Sequence, residues 1–152
     1  MSIPRVAGMW LGVIWTAPNT LLGLVLGCVG MLGGARVSLR ARDWMVAFDN
    51  WPASWSPRTG ALTLGNCVLH TGLTLDSPCG VYAPVENCSP GLVPEFADHE
   101  RAHVLQYMVL GPLFLPVYFA LGGISARNPL ERAADRYALT GHGWWPWGAH
   151  SR

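Results

Sequence analysis

The 152-residue chain contains no lysine and few charged residues of any kind. Only 12% of its residues are charged, about half the usual share, whereas 51% are hydrophobic. Disordered chains need the opposite balance, so this composition predicts a folded protein. The net charge of +1 comes with scattered arginines, which provide no basic surface for nucleic acid. The length favours one compact domain.

The four cysteines include no CxxC pair, which argues against a zinc ribbon. Cys79 and Cys88 bracket a loop that contains proline and glycine. They would form a disulfide if this loop faced an oxidising compartment, and would otherwise stay reduced and buried. The sequence leaves both alternatives open.

The longest stretch without charge runs from Val6 to Ala35 and exceeds the ~20 residues that a helix needs to cross a bilayer. Because Pro18-Asn19-Thr20 interrupts it, we expect a short interfacial piece over Met9–Trp15 and a helix from about Asn19 to Gly34. The apolar core is too long for a cleaved signal peptide, and no A-x-A site follows it. Residues 1–43 are therefore predicted to be a retained N-terminal membrane anchor.

Two features of this anchor concern its packing and its orientation. Gly23-xxx-Gly27 and Gly30-xxx-Gly34 are small-xxx-small patterns that let another helix approach closely, although glycine is also simply frequent in membrane helices. Arg36, Arg40 and Arg42 follow at once. The positive-inside tendency places that end in the cytoplasm.

Short β-prone segments then alternate with turn-rich pieces over residues 44–93. The segments are Trp44–Phe48, Ala61–Leu64 and Cys67–His70. Gly65-Asn66 either closes a tight hairpin between the last two or lies within one longer strand. We expect a small, imperfect sheet rather than a linker.

From Pro94 onward the pattern becomes helical. A proline in the first turn and acids near the N-terminus predict a helix that continues to Leu110, where Gly111-Pro112 stops it. A second helix is predicted to begin at Pro129, with Asn128 as its N-cap, and to end near Thr140.

The first of these helices carries an HExxH motif, His99-Glu100-Arg101-Ala102-His103. Residues at i and i+4 lie on one helical face, so both imidazoles can reach a single zinc ion at ~2.0–2.1 Å. Glu100 lies beside them and can take a proton from the metal-bound water. The simpler interpretation is a pair of solvated or core histidines.

A catalytic zinc site needs a third protein ligand, and Glu131 on the second helix can supply it. Asp135 lies one turn further along the same face and could accept a hydrogen bond from a ligating histidine, which would fix its tautomer. Glu131 has an alternative role in a capping box with Asn128. Asp98 is the alternative carboxylate, although its position beside His99 points it away from the histidine face.

Three other polar residues are candidates for substrate or oxyanion contacts. Tyr107 lies one turn after His103, His142 lies just past the second helix, and His70 lies on a strand that could face the cleft. Each has a simpler interpretation, as an interfacial tyrosine or an ordinary surface histidine.

The motifs His99-Glu-x-x-His103 and Glu131-x-x-x-Asp135 together resemble those of the gluzincin metallopeptidases, specifically their very small members. The resemblance implies that His99, His103 and Glu131 bind Zn²⁺ and that Glu100 is the general base. It also implies that Asp135 orients one of the zinc-binding residues without binding the metal itself. By analogy with metallopeptidases in general, an edge strand near Leu62–Leu69 could hold an extended peptide by backbone pairing.

More closely, the chain is similar to a group of short bacterial membrane proteins with the patterns DHERxHVxQY, GPLFxPxY and NPxExxA. The matching segments are Asp98–Tyr107, Gly111–Tyr118 and Asn128–Glu131, and Pro18–Gly23 in the apolar N-terminus is similar as well. These signatures cover about half of the chain and are most specific in its last 50 residues. The resemblance to this group implies a fold, but it does not identify a substrate.

Helix length constrains the topology of the segment between the two helices. A straight helix over Val104–Ile124 would extend ~32 Å and would place Glu131 across the membrane from His99. The Gly-Pro and Pro breaks favour instead a helical hairpin over residues 104–124 that dips into the membrane interface and returns. The alternative is two plain membrane helices with no metal.

These features predict an α+β fold: the anchor over 1–43, then one small metallopeptidase-like domain over 44–152. A small sheet, the HExxH helix and the second helix would form a minimal zincin-like hairpin around the metal. The expected function is a membrane-associated zinc metallopeptidase of the bacterial inner membrane, with its site on the cytoplasmic side. Membrane lipid and a peptide or protein are the expected partners. The alternative functions are a zinc-binding scaffold without catalysis and a structural membrane protein.

Overall fold

The computed structural model of the chain describes residues 3–52, 60–81 and 93–147, which form a mixed α+β fold. The helices in this part of the chain are α1 (Ile3–Trp15), α2 (Ala17–Met31), α3 (Phe96–Leu110), α4 (Phe114–Ala120) and α5 (Pro129–Thr140). The strands are β1 (Arg36–Arg40), β2 (Met45–Asp49), β3 (Ala61–Leu64) and β4 (Cys67–His70). The predicted combination of helices with a small sheet is confirmed.

The four strands form one sheet in the order β1-β2-β4-β3. Strands β2 and β4 are parallel, whereas the two outer pairs are antiparallel. Gly65-Asn66 closes the hairpin between β3 and β4, with Leu64 opposite Cys67, so the first of the two alternatives for this segment holds. Gly65 has a φ of +63°, a conformation that glycine adopts without strain. Strand β3 forms one edge of the sheet.

Strand β1 was not predicted from the sequence, which assigned its arginines only to the end of the anchor. Four of its five residues are exposed, so the strand lacks the apolar alternation that signals a half-buried strand. Backbone pairing with β2 holds it, from Arg36 opposite Asp49 to Arg40 opposite Met45.

The sheet lies between α2 on one face and α3 on the other. Successive residues of a strand point to opposite faces. Thus Met45 and Ala47 pack toward α3, in a cluster with Val104. Phe48 faces the other way, where it packs against Leu24 of α2. Helix α5 packs against α3 and completes the fold around the candidate site.

The N-terminal apolar segment breaks at a different residue from the one predicted. The break is at Thr16 and bends α1 against α2 by 67°, so α1 begins before Met9 and α2 already begins at Ala17. Pro18 does not interrupt α2 because it lies in the first turn, where its missing N–H costs no helical hydrogen bond. The buried Thr16 ties the bend to the β3–β4 hairpin, since its Oγ1 lies 2.6 Å from Asn66 Oδ1.

The small-residue face of α2 packs against the sheet rather than against another helix. A Cβ atom added at Gly23 would lie 2.6 Å from Cβ of Cys67, and one added at Gly27 would overlap the ring of Phe48. These glycines let the helix backbone lie directly on the side chains of the sheet.

Two helical segments in the described residues meet the length and apolarity of a membrane span. One is the run Phe96–Ala120, and the other is the bent pair Val6–Trp15 and Ala17–Met31 taken together. By length and composition alone, such a run suits a membrane span and the core helix of a soluble protein alike. The run Phe96–Ala120 is not a straight rod, because the rings of His103 and Tyr118 lie 6.2 Å apart. Fifteen residues of straight helix would separate them by about 22 Å.

The chain turns at Gly111-Pro112, as the sequence predicts. Gly111 adopts φ +56° and ψ −134°, and a short 3₁₀ turn over Gly111–Leu113 leads into α4. Pro116, which was expected to break the chain again, lies in the first turn of α4 and is accommodated there.

Cys79 is a free, buried thiol, while Cys88 lies outside the described residues.

Substitution of Gly27 by alanine should destabilise the fold by about 1–3 kcal/mol, because the added methyl group overpacks the contact with Phe48. Gly8→Ala is the matched control, since a Cβ there meets no atom within 4 Å. Chemical denaturation in a mild detergent measures both variants. A Gly27→Ala protein as stable as Gly8→Ala would contradict this packing of α2 on the sheet.

Candidate metal centre

Three buried side chains from α3 and α5 bring ligand atoms toward one point. The Nε2 atoms of His99 and His103 are 3.2 Å apart. Oε2 of Glu131 lies 3.2 Å from the first of these nitrogens and 3.6 Å from the second. A tetrahedral zinc ion with bonds of 2.0–2.1 Å holds its ligand atoms about 3.4 Å apart. The three residues could therefore hold a metal ion.

Local helix geometry and the antiparallel packing of α5 on α3 create this arrangement. His99 and His103 share one face of α3 because they are four residues apart. Asn128 caps α5 by accepting a hydrogen bond from the backbone N–H of Leu130 at 3.0 Å. The backbone N–H of Asn128 is itself bonded to the carbonyl of Ser125, so Glu131 does not complete a capping box. Its carboxylate points to the histidines instead.

The outer nitrogens of both imidazoles face hydrogen-bond acceptors. Nδ1 of His99 lies 3.2 Å from Oδ1 of Asp135. Nδ1 of His103 lies 2.9 Å from Oε1 of Gln106. The orientation of this amide is set by its Nε2, which donates to the carbonyls of Leu130 and Trp144. Each Nδ1 therefore carries the proton, and each Nε2 presents a lone pair to the cluster.

This tautomer assignment makes the centre of the cluster a place for positive charge. With both rings neutral, two nitrogen lone pairs and a carboxylate oxygen face one point, and a proton or a cation there relieves their repulsion. Burial alone would lower the pKa of His99, but the hydrogen bonds to Asp135 and Glu131 outweigh it and raise that pKa well above its ordinary value. Burial would likewise raise the pKa of Glu131, yet His103 and His99 hold it far below the usual range.

Glu100 lies in the same cavity as His99, His103 and Glu131. The cavity has a volume of about 120 Å³, room for several water molecules, and it is bounded by β3, α3, α4 and α5. The Glu100 side chain is buried, and its Oε2 accepts a hydrogen bond of 2.5 Å from the Thr63 hydroxyl on the edge strand. The proposed base is thus held beside the ligands by a contact from the sheet.

Two residues at the centre were assigned no role from the sequence. The Tyr118 hydroxyl donates a hydrogen bond to Oε1 of Glu131, the carboxylate oxygen that does not face the histidines. Gln106 accepts a hydrogen bond from Nδ1 of His103, the ring nitrogen that faces away from the cluster. Both residues lie in the segments on which the expected resemblance to short bacterial membrane proteins was based, and no other feature of the sequence pointed to them. No local spacing rule connects Tyr118 to a ligand 13 residues away.

The structure does not bring the three weaker candidates to the cavity wall. Tyr107 is fully buried and its ring stacks on Phe114, with centroids 3.9 Å apart. His70 is fully buried at the end of β4, where its Nδ1 lies 3.0 Å from Oδ1 of Asp49. His142 is exposed beyond α5 and contacts the backbone carbonyl of Thr140 through Nδ1. The hydroxyl group nearest the ligands is that of Tyr118 instead.

The chain matches no protein-family model, no curated protein and no solved structure. The interpretation of the centre therefore depends on its own geometry.

Substitution of Glu131 by glutamine should lower zinc affinity by more than about 100-fold, because loss of a ligand exceeds the 10–100-fold cost of losing an outer partner. Asp98→Asn is the matched control, since Asp98 lies on the same helix as the histidines but outside the ligand cluster. Competition with a fluorescent zinc chelator measures both affinities. Equal affinities of the two variants would rule out Glu131 as a ligand.

Removal of the Tyr118 hydroxyl should weaken zinc binding by about 10-fold, because Glu131 would lose the hydrogen bond that fixes its second oxygen. Tyr107→Phe is the control, as its buried hydroxyl has no hydrogen-bond partner within residues 3–52, 60–81 and 93–147. The visible absorption of the cobalt-substituted protein should change in Tyr118→Phe and stay as in wild type in Tyr107→Phe. An unchanged spectrum in both would show that Tyr118 does not position the carboxylate.

Proposed function

We propose that the protein is a zinc-dependent hydrolase that cleaves a peptide or other amide bond at a membrane surface. The observation that carries this proposal is the triangle formed by two imidazole nitrogens and one carboxylate oxygen, with edges of 3.2, 3.2 and 3.6 Å. Two histidines and one glutamate are a ligand set of catalytic zinc sites, which keep a fourth position open. A structural zinc site would need a fourth protein ligand.

Zinc held in this position would supply a Lewis acid that polarises a substrate carbonyl and activates water. The protein's own contribution is the placement of the acid–base group. Glu100 presents a carboxylate to the same cavity, where it would take a proton from the attacking water and later give it to the departing nitrogen. The bond from Thr63 holds one carboxylate oxygen, which leaves the other oxygen for the proton transfer.

The edge strand beside the cavity supports a peptide as the substrate. Residues Ala61–Thr63 of β3 line the cavity, and among the residues that the structure describes β3 pairs only with β4. An extended peptide could add to the outer edge of β3 by backbone hydrogen bonds, which would lay its backbone across the ligands.

Exposed apolar residues support association with a membrane. Leu11, Ile14, Leu22 and Val25 on the first two helices are each at least 50% exposed, which is unusual for so many large side chains on two neighbouring helices. Arginines follow this segment on the chain, so we propose that the protein is held by α1 and α2 in the bacterial inner membrane, with the site on the cytoplasmic side.

The test compares Glu100→Gln with Glu95→Gln, an exposed acid just before α3 that lies outside the cavity. Both variants and the wild type should bind about one equivalent of zinc. In lipid vesicles, the wild type and Glu95→Gln should cleave a library of quenched fluorescent peptides. Glu100→Gln should be slower by at least ~100-fold, because it lacks the general base.

Either of two results would contradict the hydrolase. One is less than about half an equivalent of zinc in the wild-type protein, because a built site with three ligands should fill under zinc excess. Full zinc occupancy with the same turnover in Glu100→Gln as in wild type would contradict only the assignment of Glu100 as the base. The second result that contradicts the hydrolase is full zinc occupancy with no turnover in any of the three proteins. The last outcome would instead identify a zinc-binding protein without catalysis.

A further inference from the structure

Two segments without any charged residue meet in the folded chain. They are residues 6–35, which contain α1 and α2, and residues 104–126, which contain the end of α3 and all of α4. Gly12 of α1 lies against Met108, and the Trp15 ring lies against Gly111 at the turn into α4. The two segments therefore form one continuous part of the molecule.

Both segments present large apolar side chains to the outside. On the first segment, Leu11 is 67% exposed and Ile14 is 69% exposed. On the second, Leu113, Phe119 and Ile124 are 58%, 67% and 73% exposed. So many exposed apolar side chains on two segments that touch each other mark a protein or membrane contact rather than a surface in water. We refer to the exposed residues of the two segments as the apolar face.

The cavity of the metal centre opens on the apolar face. Phe119 and Ile124 are exposed and also line the cavity, so they belong to its mouth. Phe114 and Leu115 continue the apolar wall inward toward His103. The charged groups that line the cavity are Glu100 and the ligand cluster at its base. A substrate would thus pass an apolar rim before it reached the ligands.

Exposed arginines follow both segments of the apolar face along the chain. Arg36 directly follows the first segment, and Arg127 directly follows the second. Arg42 and Arg132 are exposed a few residues further along the chain. Arginine at the border of an apolar surface complements the phosphates and carboxylates of anionic lipid headgroups. The charge pattern therefore favours an anionic bilayer over an apolar protein partner as the occupant of this face.

We propose that the apolar face lies in an anionic bilayer and that the centre cleaves an apolar segment of a membrane-embedded protein, which enters between β3 and Phe119. This substrate class rests on the proposed hydrolase function. An apolar side chain that leaves lipid for the Phe114–Leu115 wall exchanges one apolar environment for another. A polar peptide from the water phase would have to leave its hydration at the same rim, which costs free energy.

The first experiment locates the cavity mouth without using activity. The photo-crosslinking analogue p-benzoylphenylalanine replaces Phe119 in one full-length protein and Leu73 in another. Leu73 is 82% exposed but lies in neither charge-free segment. The proteins are reconstituted with zinc in phosphatidylglycerol-containing vesicles and irradiated. Mass spectrometry should find phospholipid adducts at position 119 and none at position 73. No adduct at 119, or equal adducts at both positions, would overturn the proposal.

The second experiment tests the substrate class. One quenched fluorescent peptide is presented free in solution and, fused to a transmembrane helix, in the same vesicles as the protein. Wild type should cleave the membrane-held form at least 10-fold faster. Phe119→Ser should abolish most of this preference at unchanged zinc content, and Leu73→Ser should retain it. Equal cleavage of the two forms by wild type would overturn the proposal.

The two experiments separate this inference from the proposed function. If neither peptide form is cleaved while lipid adducts form at position 119, the hydrolase function fails and the substrate class falls with it. If peptides are cleaved in solution and no adducts form, the hydrolase function stands and the substrate class is wrong.

Discussion

The convergence of two imidazole nitrogens and one carboxylate oxygen is the constraint on which the rest of the structure depends. Each Nδ1 atom is directed outward, to Asp135 or to Gln106, so the Nε2 lone pairs must face inward toward Glu131. Such a buried group of acceptors is costly unless positive charge lies among them. A divalent cation satisfies all three at once, with ligand separations that match a tetrahedral site. The antiparallel packing of α5 on α3 is what makes this convergence possible.

The elements around the centre each fix one part of it. The turn at Gly111 folds α4 back so that Tyr118 reaches Glu131, and β3 holds Glu100 through Thr63. Helix α2 lies on the opposite face of the sheet, seated on it through glycines. The same residues that close the cavity on the α4 side form part of the exposed apolar surface. Cavity and surface are therefore one architectural unit.

The parts of the fold that local rules govern could be predicted from the sequence. The cap at Asn128, the end of α3 at Gly111 and three strands follow from nearest-neighbour preferences, and the ligand pair follows from helical spacing. The parts that depend on tertiary contacts could not. Strand β1 has no buried face to reveal it, and the break at Thr16 depends on a contact with Asn66, 50 residues away. Which polar residues face the cavity also depends on tertiary contacts, so it could not be predicted from the sequence.

X-ray absorption at the zinc edge of the full-length, zinc-loaded protein in lipid tests the central claim most directly. We expect nitrogen and oxygen scatterers at about 2.0–2.1 Å from the zinc, with the more distant scattering that is typical of two imidazole rings. A sulfur shell at about 2.3 Å would place the metal on cysteines instead. That result, or a shell of oxygen alone without imidazole scattering, would contradict the assignment of His99, His103 and Glu131 as the metal centre.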